Sequence, residues 1–410
     1  MPQSTDLVTD LPADFETFGQ AVATSMADLL GGTTGQILSK ASNTDMDFTW
    51  ITNDVGDITA VTAGTGITGG GTSGAVTVSF DQANFGGGQG ASGKNAIING
   101  GMQVWQRGTT FTVGAANAYT VDRWQAKRTG LAVGCTVSRQ SSGITGIQYG
   151  ARVQRDSGNT STASLQFWTN LETVNSIPFA GKTVALSVYA KVGANYSPTS
   201  SALTIQLYSG TGTDQNANVA GFTGSTIVAG STITATTSYV RYTITGTVAA
   251  NATQLAVIIS NAPTGTAGAD DWYEIAGVQL EAGSIATPFQ TATGTIQGEL
   301  AACQRYLPAI SANNGGLSIG QAYTTTKAIV AIPFPVTARV APTGVTVNAA
   351  ANFDLRQANA TRVACSSVAF LDATPSCGSL DATATGLVVG NATQFFNANL
   401  GTILFTGCEL

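Results

Sequence analysis

The chain has 410 residues with a net charge of −6, and only 10% of its residues are charged, while 49 are glycine. An average soluble protein has about 25% charged residues and about 7% glycine. With 17 Lys and Arg and no His, the composition excludes a phosphate-neutralising surface for nucleic acid and excludes Ser-His-Asp or Cys-His catalysis.

The segment 10–30, DLPADFETFGQAVATSMADLL, predicts a helix that ends before Gly31 and Gly32. One face has the 3–4–3–4 spacing of a short coiled-coil seam, and its positions are Phe15, Phe18, Val22, Ser25 and Leu29. An amphipathic helix packed on its own domain has the same spacing, so both interpretations remain open. Either needs a partner, because a lone helix of about 20 residues is marginal in water.

The segment 31–93 is dominated by Gly and Thr and contains short alternating runs at 58–61 and 75–80. Its first part, 31–50, predicts two short strands around a polar turn. So few apolar side chains cannot form a core within one chain. The segment is therefore either a flexible linker or a Gly-rich β shaft whose copies share a core, and the alternation favours the shaft.

Regularly spaced strands are predicted between 94 and 290, separated by Gly, Asn and Ser turns. The clearest of them are at 183–192, 201–210, 239–248 and 253–261. Nearly 200 residues are ample for an antiparallel β-sandwich. We therefore expect a mainly β protein, with this sandwich as its largest domain.

Helical spacing returns at 291–308, and Pro308 ends it. A second strand-rich domain is predicted from 309 to 410. The expected organisation is an N-terminal helix for attachment (1–30), a shaft (31–93), a sandwich (94–290), a linking helix (291–308) and a C-terminal β tip domain (309–410).

Four motifs occur in a specific order along the chain: NAIINGGMQVWQRG (95–108), YTVDRW (119–124), EIAGVQLEAGSIATPFQ (274–290) and GELAACQRYL (298–307). In this order they resemble bacteriophage tail fibre and tail proteins that carry a jelly-roll domain like those of carbohydrate-binding modules. The stretches 31–50 and 62–78 are similar to the shafts of such fibres. The resemblance implies a jelly roll in the sandwich region and a homotrimer in the virion. It also implies attachment to tail or baseplate proteins near the N-terminus and contact with a host surface glycan or receptor near the C-terminus.

The motif residues are interpreted mainly as a packing signature of the fold. Trp side chains can anchor a sandwich core, while Asp and Arg can brace strand ends by hydrogen bonding. A calcium site at Asp122 and direct glycan contact remain alternatives. The signature residues are Trp105, Arg107, Asp122, Arg123, Trp124, Gln279, Glu281, Gln304 and Arg305.

Sugar sites combine an aromatic face with amide or carboxylate hydrogen bonds. For each Trp taken singly, burial in the core is the favoured interpretation, because no spacing shows which face the side chain occupies. The candidate glycan-binding residues are Trp168 and Trp272 in the sandwich, and Asn313, Asn314 and Tyr323 in the tip domain.

No cofactor and no metal site are expected, since the chain lacks His and its five Cys residues show no CxxC spacing. Buried reduced thiols are the first interpretation of the cysteines, and a Cys365–Cys377 bridge is the alternative. No apolar run approaches the ~20 residues of a membrane helix. The first residues lack the basic and apolar segments of a secretory signal, so we expect folding in the host cytoplasm.

Three functions remain open at this stage. The first is a homotrimeric tail fibre that recognises the host surface, and the second is a structural baseplate or tail-tip component. The third is a polysaccharide-cleaving tailspike, which would need a pair of carboxylates across a cleft. Only six Glu are present, none paired with Asp in an obvious way, so we expect a binding protein and no enzyme.

Overall fold

A computed structural model of the chain shows a mainly β protein, and the paired strands among its described residues are antiparallel. The fold class predicted from the sequence is confirmed. Contacts divide the chain into two units, Met1–Phe80 and Asp81–Leu410. The structure describes residues 11–53, 60–64, 67–72, 74–80, 93–130, 134–357 and 361–410. The predicted alternation at 58–59 and the Gly-rich stretch 81–92 lie outside these residues.

The first unit begins with helix α1 (Leu11–Ser25), which is shorter than the predicted 10–30 because a 3-10 turn (Ala27–Leu29) follows it. The two strands expected within 31–50 form a hairpin that pairs Leu38 with Trp50. The strands of this unit are β1 (Gln36–Lys40), β2 (Phe48–Thr52), β3 (Val61–Thr62), β4 (Ile67–Gly71) and β5 (Val78–Phe80).

In the first unit, none of the residues whose burial the structure describes is buried. On α1, the exposed fractions of Phe15, Phe18 and Val22 are 63%, 44% and 39%. Ile37 in β1 and Val78 in β5 are 46% and 49% exposed. The described part of this unit therefore contains no core, and a helix of this length and isolated short strands are marginal in water.

In the second unit, strands β6–β17 form two six-stranded sheets. Their orders are β15-β12-β17-β10-β9-β6 (sheet one) and β14-β13-β16-β11-β8-β7 (sheet two). The strands are β6 (Thr110–Val113), β7 (Ala118–Tyr119), β8 (Gln125–Arg128), β9 (Cys135–Ile144), β10 (Ile147–Arg155), β11 (Leu165–Asn170), β12 (Thr183–Val192), β13 (Ala202–Gly210), β14 (Thr226–Thr234), β15 (Val240–Thr247), β16 (Gln254–Ser260) and β17 (Trp272–Ala282).

The sandwich core follows from alternation along these strands. In β13, Leu203, Ile205 and Leu207 are buried, and the residues between them are partly exposed. Successive side chains of a strand point to opposite faces, so one face of each sheet builds the core. A short helix α2 (Thr173–Ser176) and a 3-10 turn (Ile177–Phe179) connect β11 to β12.

The linking helix α3 spans Ile296–Gln304, so it is shorter than the predicted 291–308. It begins where Thr295 caps it, because the Thr295 Oγ1 accepts a hydrogen bond from the Gly298 N–H at 3.1 Å. Inside the first turn, the Glu299 carboxylate accepts hydrogen bonds from the main-chain N–H groups of Asn99 (2.7 Å) and Thr293 (2.9 Å). These bonds join α3 to the first motif of the sandwich.

The C-terminal part has a seven-stranded sheet (β23-β22-β26-β19-β20-β25-β24) and a three-stranded sheet (β18-β27-β21). Phe353 stacks on Phe395 in its core, with ring centroids 5.3 Å apart. All five cysteines are free thiols, so the alternative of a Cys365–Cys377 bridge is wrong. The strands are β18 (Ala309–Ser311), β19 (Gly315–Ala322), β20 (Lys327–Pro333), β21 (Gly344–Val347), β22 (Phe353–Arg356), β23 (Arg362–Ala364), β24 (Ser367–Thr374), β25 (Cys377–Thr383), β26 (Ala392–Asn397) and β27 (Thr402–Thr406); two further 3-10 turns are Thr199–Ser201 and Ala350–Asn352.

Candidate functional sites

Asparagine side chains hold the first motif in shape. Asn99 has φ +56°, and its Oδ1 accepts hydrogen bonds from the N–H groups of Gln103 (2.8 Å) and Val104 (3.0 Å). Its Nδ2 donates to the carbonyl oxygens of Val104 and Asp122, which ties the first motif to the second. Gly100 is required beside it, because a Cβ there would lie 2.1 Å from the Val278 oxygen. Asn99 is not among the residues predicted from the sequence, although the Asn-Gly-Gly turn could have indicated it.

The two motif tryptophans support the packing interpretation to different extents. Trp124 is fully buried and stacks on Phe167, with ring centroids 4.8 Å apart. Its Nε1 donates a hydrogen bond to the Asn99 oxygen at 3.3 Å. Trp105 packs against the edge of the same core, and its Nε1 donates to the Met102 oxygen at 2.7 Å. Buried indoles need such partners for their N–H groups.

Asp122 lies in a buried cluster of charges and is 1% exposed. Its Oδ2 accepts the Gln106 N–H at 2.7 Å, and the Arg107 Nη1 lies 3.3 Å from its Oδ1. The other end of Arg107 pairs with Glu409, with 2.5 Å between Nη2 and Oε2. Burial raises the pKa of Asp122 to about 6 and that of Glu409 to about 7, while Arg107 opposes both shifts.

These two carboxyls give stability a pH dependence of definite sign. Between about pH 4 and pH 6–7, the folded chain holds protons that the unfolded chain has released, so the free energy of unfolding falls as pH rises. For Asp122 the change is about 3 kcal/mol. Asp122→Asn should flatten the dependence of melting temperature on pH between 4 and 7. The exposed Asp372 provides a control, since Asp372→Asn should leave the slope unchanged. A slope that Asp122→Asn does not alter would contradict the assignment.

The third motif forms a second buried network. The Glu281 carboxylate accepts hydrogen bonds from the N–H of Thr287 (2.8 Å) and from the Thr287 hydroxyl (2.8 Å). The Gln279 Nε2 donates to Glu281 Oε1 at 2.7 Å, and the Lys94 ammonium lies 3.5 Å from the same carboxylate. Gln279 and Glu281 are both buried. They hold the loop after β17 against its own strand.

The fourth motif attaches α3 to the sandwich through Glu172. The Glu172 carboxylate pairs with the Arg305 guanidinium at 2.8 Å and accepts a hydrogen bond from the Tyr306 hydroxyl at 2.8 Å. The hydrogen bond to Glu172 raises the pKa of Arg305. The Arg123 guanidinium lies 3.5 Å from the centre of the Tyr306 ring, a cation–π contact. Gln304 faces the other way, towards a cavity described below.

Trp168 has no exposed surface and lies outside the sandwich core, on the outer face of sheet two. Its Nε1 donates to Asn216 Oδ1 at 3.1 Å, and the Lys127 ammonium lies 5.6 Å from its ring. Asn216 belongs to the loop between β13 and β14, which covers the ring. A ring without exposed surface cannot stack on a sugar, so the glycan role predicted for Trp168 is corrected to packing.

Trp272 is 9% exposed and lies on the outer face of sheet one. The Arg152 guanidinium covers its ring at 4.0 Å from the centroid. The neighbouring Glu274 carboxylate pairs with Arg152 (2.6 Å) and Lys191 (2.9 Å) and accepts a hydrogen bond from the Tyr239 hydroxyl. A sugar on Trp272 would have to displace Arg152 and break this network. Neighbouring side chains therefore already cover Trp272, which was predicted to contact a ligand.

An ion pair that sequence analysis missed lies beside Trp272. Arg155 and Asp271 are 1% and 2% exposed, with 2.7 Å between Nε and Oδ2. The remaining guanidinium nitrogens donate to the carbonyl oxygens of Ser161, Thr264 and Gly265. The pair therefore fastens the loop before β17, and its donors are satisfied as a buried charge requires.

In the tip domain, Tyr323 is 43% exposed and lies just after β19. Its hydroxyl donates to Asp381 Oδ1 at 3.0 Å, and the Lys327 ammonium lies 2.7 Å from Asp381 Oδ2. The hydrogen bond from Lys327 to Asp381 raises the pKa of Lys327. An accessible aromatic face with a carboxylate and an ammonium beside it can both stack on and hydrogen-bond a polar ligand. We call Tyr323, Lys327 and Asp381 the tip cluster.

The structure does not bring all the predicted tip residues together. Asn313 and Asn314 are exposed in the turn before β19, and Asn314 Oδ1 accepts a hydrogen bond from Arg362 at 3.4 Å. Tyr323 lies at the opposite end of that strand. At about 3.3 Å per residue, the turn and the tip cluster are roughly 30 Å apart, too far for one sugar ring to contact both.

Within the described part of the chain, no group of three or more Cys, Asp or Glu is arranged to hold a metal ion. The acidic side chain considered for calcium, Asp122, has Arg107 and Gln106 as its partners. No helix among the described residues is both long and apolar enough to cross a membrane.

No protein-family model and no curated protein matches the sequence. Among solved structures, the CBM22-2 xylan-binding domain from Paenibacillus barcinonensis Xyn10C is similar at 14% identity and a TM-score of 0.25, over 40% of this chain and 94% of that one. The CBM22-1–GH10 modules of Clostridium thermocellum xylanase 10B are 11% identical over 41% of this chain and 27% of that one, with a TM-score of 0.26. The enzymatically active domain of bacteriophage CBA120 tailspike protein 4 is 12% identical over 46% and 21%, with a TM-score of 0.29. The match therefore spans less than a third of the last two proteins.

Proposed function

We propose that the chain is the subunit of a homotrimeric bacteriophage tail fibre that attaches through its N-terminal region and binds host surface glycan through its C-terminal domains. The observation that carries the proposal is that the described residues of the first unit include none that is buried. Apolar side chains left in water favour association, worth about 25 cal/mol per Å² of apolar surface buried. Copies of the same chain are the commonest partners in soluble oligomers.

Two features support a partner that is another copy of this chain. The exposed stripe of Phe15, Phe18 and Val22 on α1 follows the coiled-coil spacing, and a helix seam of this kind is satisfied by its own copies. The four motifs of the second unit also resemble those of bacteriophage tail fibres. That resemblance implies a place in the virion and tail proteins as partners. The proposed location is the virion, after folding in the host cytoplasm.

Glycan contact is proposed at the tip cluster. The Tyr323 ring is the most accessible of the aromatic candidates, since Trp168 and Trp272 are covered. A single site of millimolar affinity is worth only about −4 kcal/mol. Three such sites on one trimer raise the apparent affinity where they engage together. Weak sites on a trimer therefore suffice for stable attachment.

Tyr323→Ala should reduce binding of the full-length oligomer to an array of bacterial surface polysaccharides at least about tenfold, the equivalent of 1.4 kcal/mol. The reason is loss of the stacking face. Tyr323→Phe keeps this face and removes the hydroxyl, so its loss should be smaller. Tyr208→Ala changes a partly exposed tyrosine in β13 of the sandwich and should leave binding unchanged. Loss with Tyr208→Ala alone would contradict the tip site.

The same array separates the other functions. Intact oligomers that bind no polysaccharide would favour a structural baseplate or tail-tip component. Release of oligosaccharides during incubation would favour a tailspike enzyme. We propose no catalysis, because the carboxylates Glu172, Asp271 and Glu274 of the sandwich are engaged in ion pairs, leaving them poor candidates for an acid–nucleophile pair.

A further inference from the structure

A cavity of about 590 Å³ lies between α3 and the tip domain. Its volume is within the range of about 300–1,000 Å³ that small-molecule sites occupy. The apolar part of its wall is formed by Leu300, Ile310 and Phe334, together with two prolines next to Phe334. Phe334 is held in place by a tilted contact with Phe405, with ring centroids 4.8 Å apart.

Two of the polar residues in the wall come from motifs about 200 positions apart in the sequence, and Ser311 and Thr402 are also polar. Gln106 belongs to the first motif and Gln304 to the fourth, and both line the cavity with Ser311. The Gln106 Nε2 donates to the Leu307 oxygen and the Gln304 Nε2 to the Ala309 oxygen, each at 3.3 Å. The short segment from Leu307 to Ala309 therefore holds both side-chain amides in place.

The anchoring leaves acceptors for a ligand. The Gln304 Nε2 donates one of its two N–H groups to the protein, and the Gln106 Nε2 donates to the Leu307 oxygen and, at 3.5 Å, to Asp122 Oδ1. In the described part of the chain neither Oε1 accepts a hydrogen bond from the protein. Among the described residues that line the cavity, none is charged. A charged ligand would lose its hydration without gaining a counter-charge, whereas a neutral polyhydroxy ligand can donate hydroxyl groups to the two oxygens.

We propose that this cavity binds one neutral pyranose unit, with an apolar face of the sugar on Phe334 and its hydroxyl groups donating to Gln106 and Gln304. The proposal extends the glycan recognition proposed above and rests on it. The cavity would bind one sugar unit of a polysaccharide, and the tip cluster would contact another part of the same polysaccharide. It also gives the motif glutamines a role that packing alone does not explain.

The test is saturation-transfer NMR of the full-length oligomer with methyl glycosides of glucose, galactose and mannose, and with methyl glucuronoside. We expect millimolar binding of at least one neutral glycoside, at least tenfold weaker binding by Gln304→Leu, and none by Ser311→Trp, which fills the cavity. Gln154→Leu is the matched control, because Gln154 also donates to a main-chain carbonyl, that of Ala269, away from the cavity. Melting temperatures check that each variant folds.

The outcomes separate this proposal from the function on which it rests. Glycoside binding that survives both Gln304→Leu and Ser311→Trp, or tight binding of the glucuronoside, overturns the cavity site. Polysaccharide binding without binding of any methyl glycoside overturns the cavity site and leaves the proposed function standing. Glycoside binding lost in both variants, by a protein that binds no bacterial polysaccharide, supports the cavity site and counts against the proposed function.

Discussion

Replacing Asp271 by Ala is expected to lower the free energy of unfolding of the second unit by about 3–5 kcal/mol. The change leaves the Arg155 guanidinium 1% exposed with no counter-charge, and a buried unpaired charge is costly. It also removes the acceptor for the Ser197 N–H, which bonds Asp271 Oδ1 at 3.0 Å. Denaturant unfolding followed by tryptophan fluorescence measures the loss.

The adjacent carboxylate provides a matched control. Asp270 is exposed, and among the described residues its Oδ1 accepts only a long hydrogen bond of 3.4 Å from Trp272. Asp270→Ala should therefore change stability by less than about 0.5 kcal/mol, as surface substitutions usually do. Equal losses from the two substitutions would show that the buried pair does not fasten the loop before β17.

Trp124→Ala should cost about 3–5 kcal/mol, the range for a large aromatic removed from a core. Trp124 is fully buried, and its loss removes the stack on Phe167 and leaves the Asn99 oxygen without its indole partner. Trp105→Ala is the graded control, because Trp105 is partly exposed at the edge of the same core. Urea unfolding of both variants should give a clearly smaller loss for Trp105→Ala, and the reverse order would contradict the packing interpretation of the motif.

Patterns local in sequence predicted the elements, because strand alternation and helix spacing act between near neighbours. The core strand β13 is an example, with Leu203, Ile205 and Leu207 on one face. Helix ends were less predictable: α3 begins at Ile296 because the Thr295 side chain caps it. The spacing of apolar residues over several helical turns does not reveal which single residue caps the helix.

The candidate site was less predictable, because it depends on contacts between distant segments. Nothing near Trp168 in sequence indicates that the loop bearing Asn216 covers it. Whether Asp270 or Asp271 pairs with Arg155 likewise depends on the register between β10 and β17, and Arg155 and Asp271 are 116 positions apart in the sequence. Tyr323 was predicted as a candidate from its residue type, but its carboxylate neighbour Asp381 comes from a different hairpin.

We expect the first unit to complete a core only by association with copies of the same chain. Light scattering of the purified full-length protein tests it directly. We expect a molar mass near three times that of one chain, and a lower mass for Phe18→Asp, which places a charge in the exposed seam of α1. A mass equal to one chain for the unchanged protein would contradict the shared core and the fibre proposed from it.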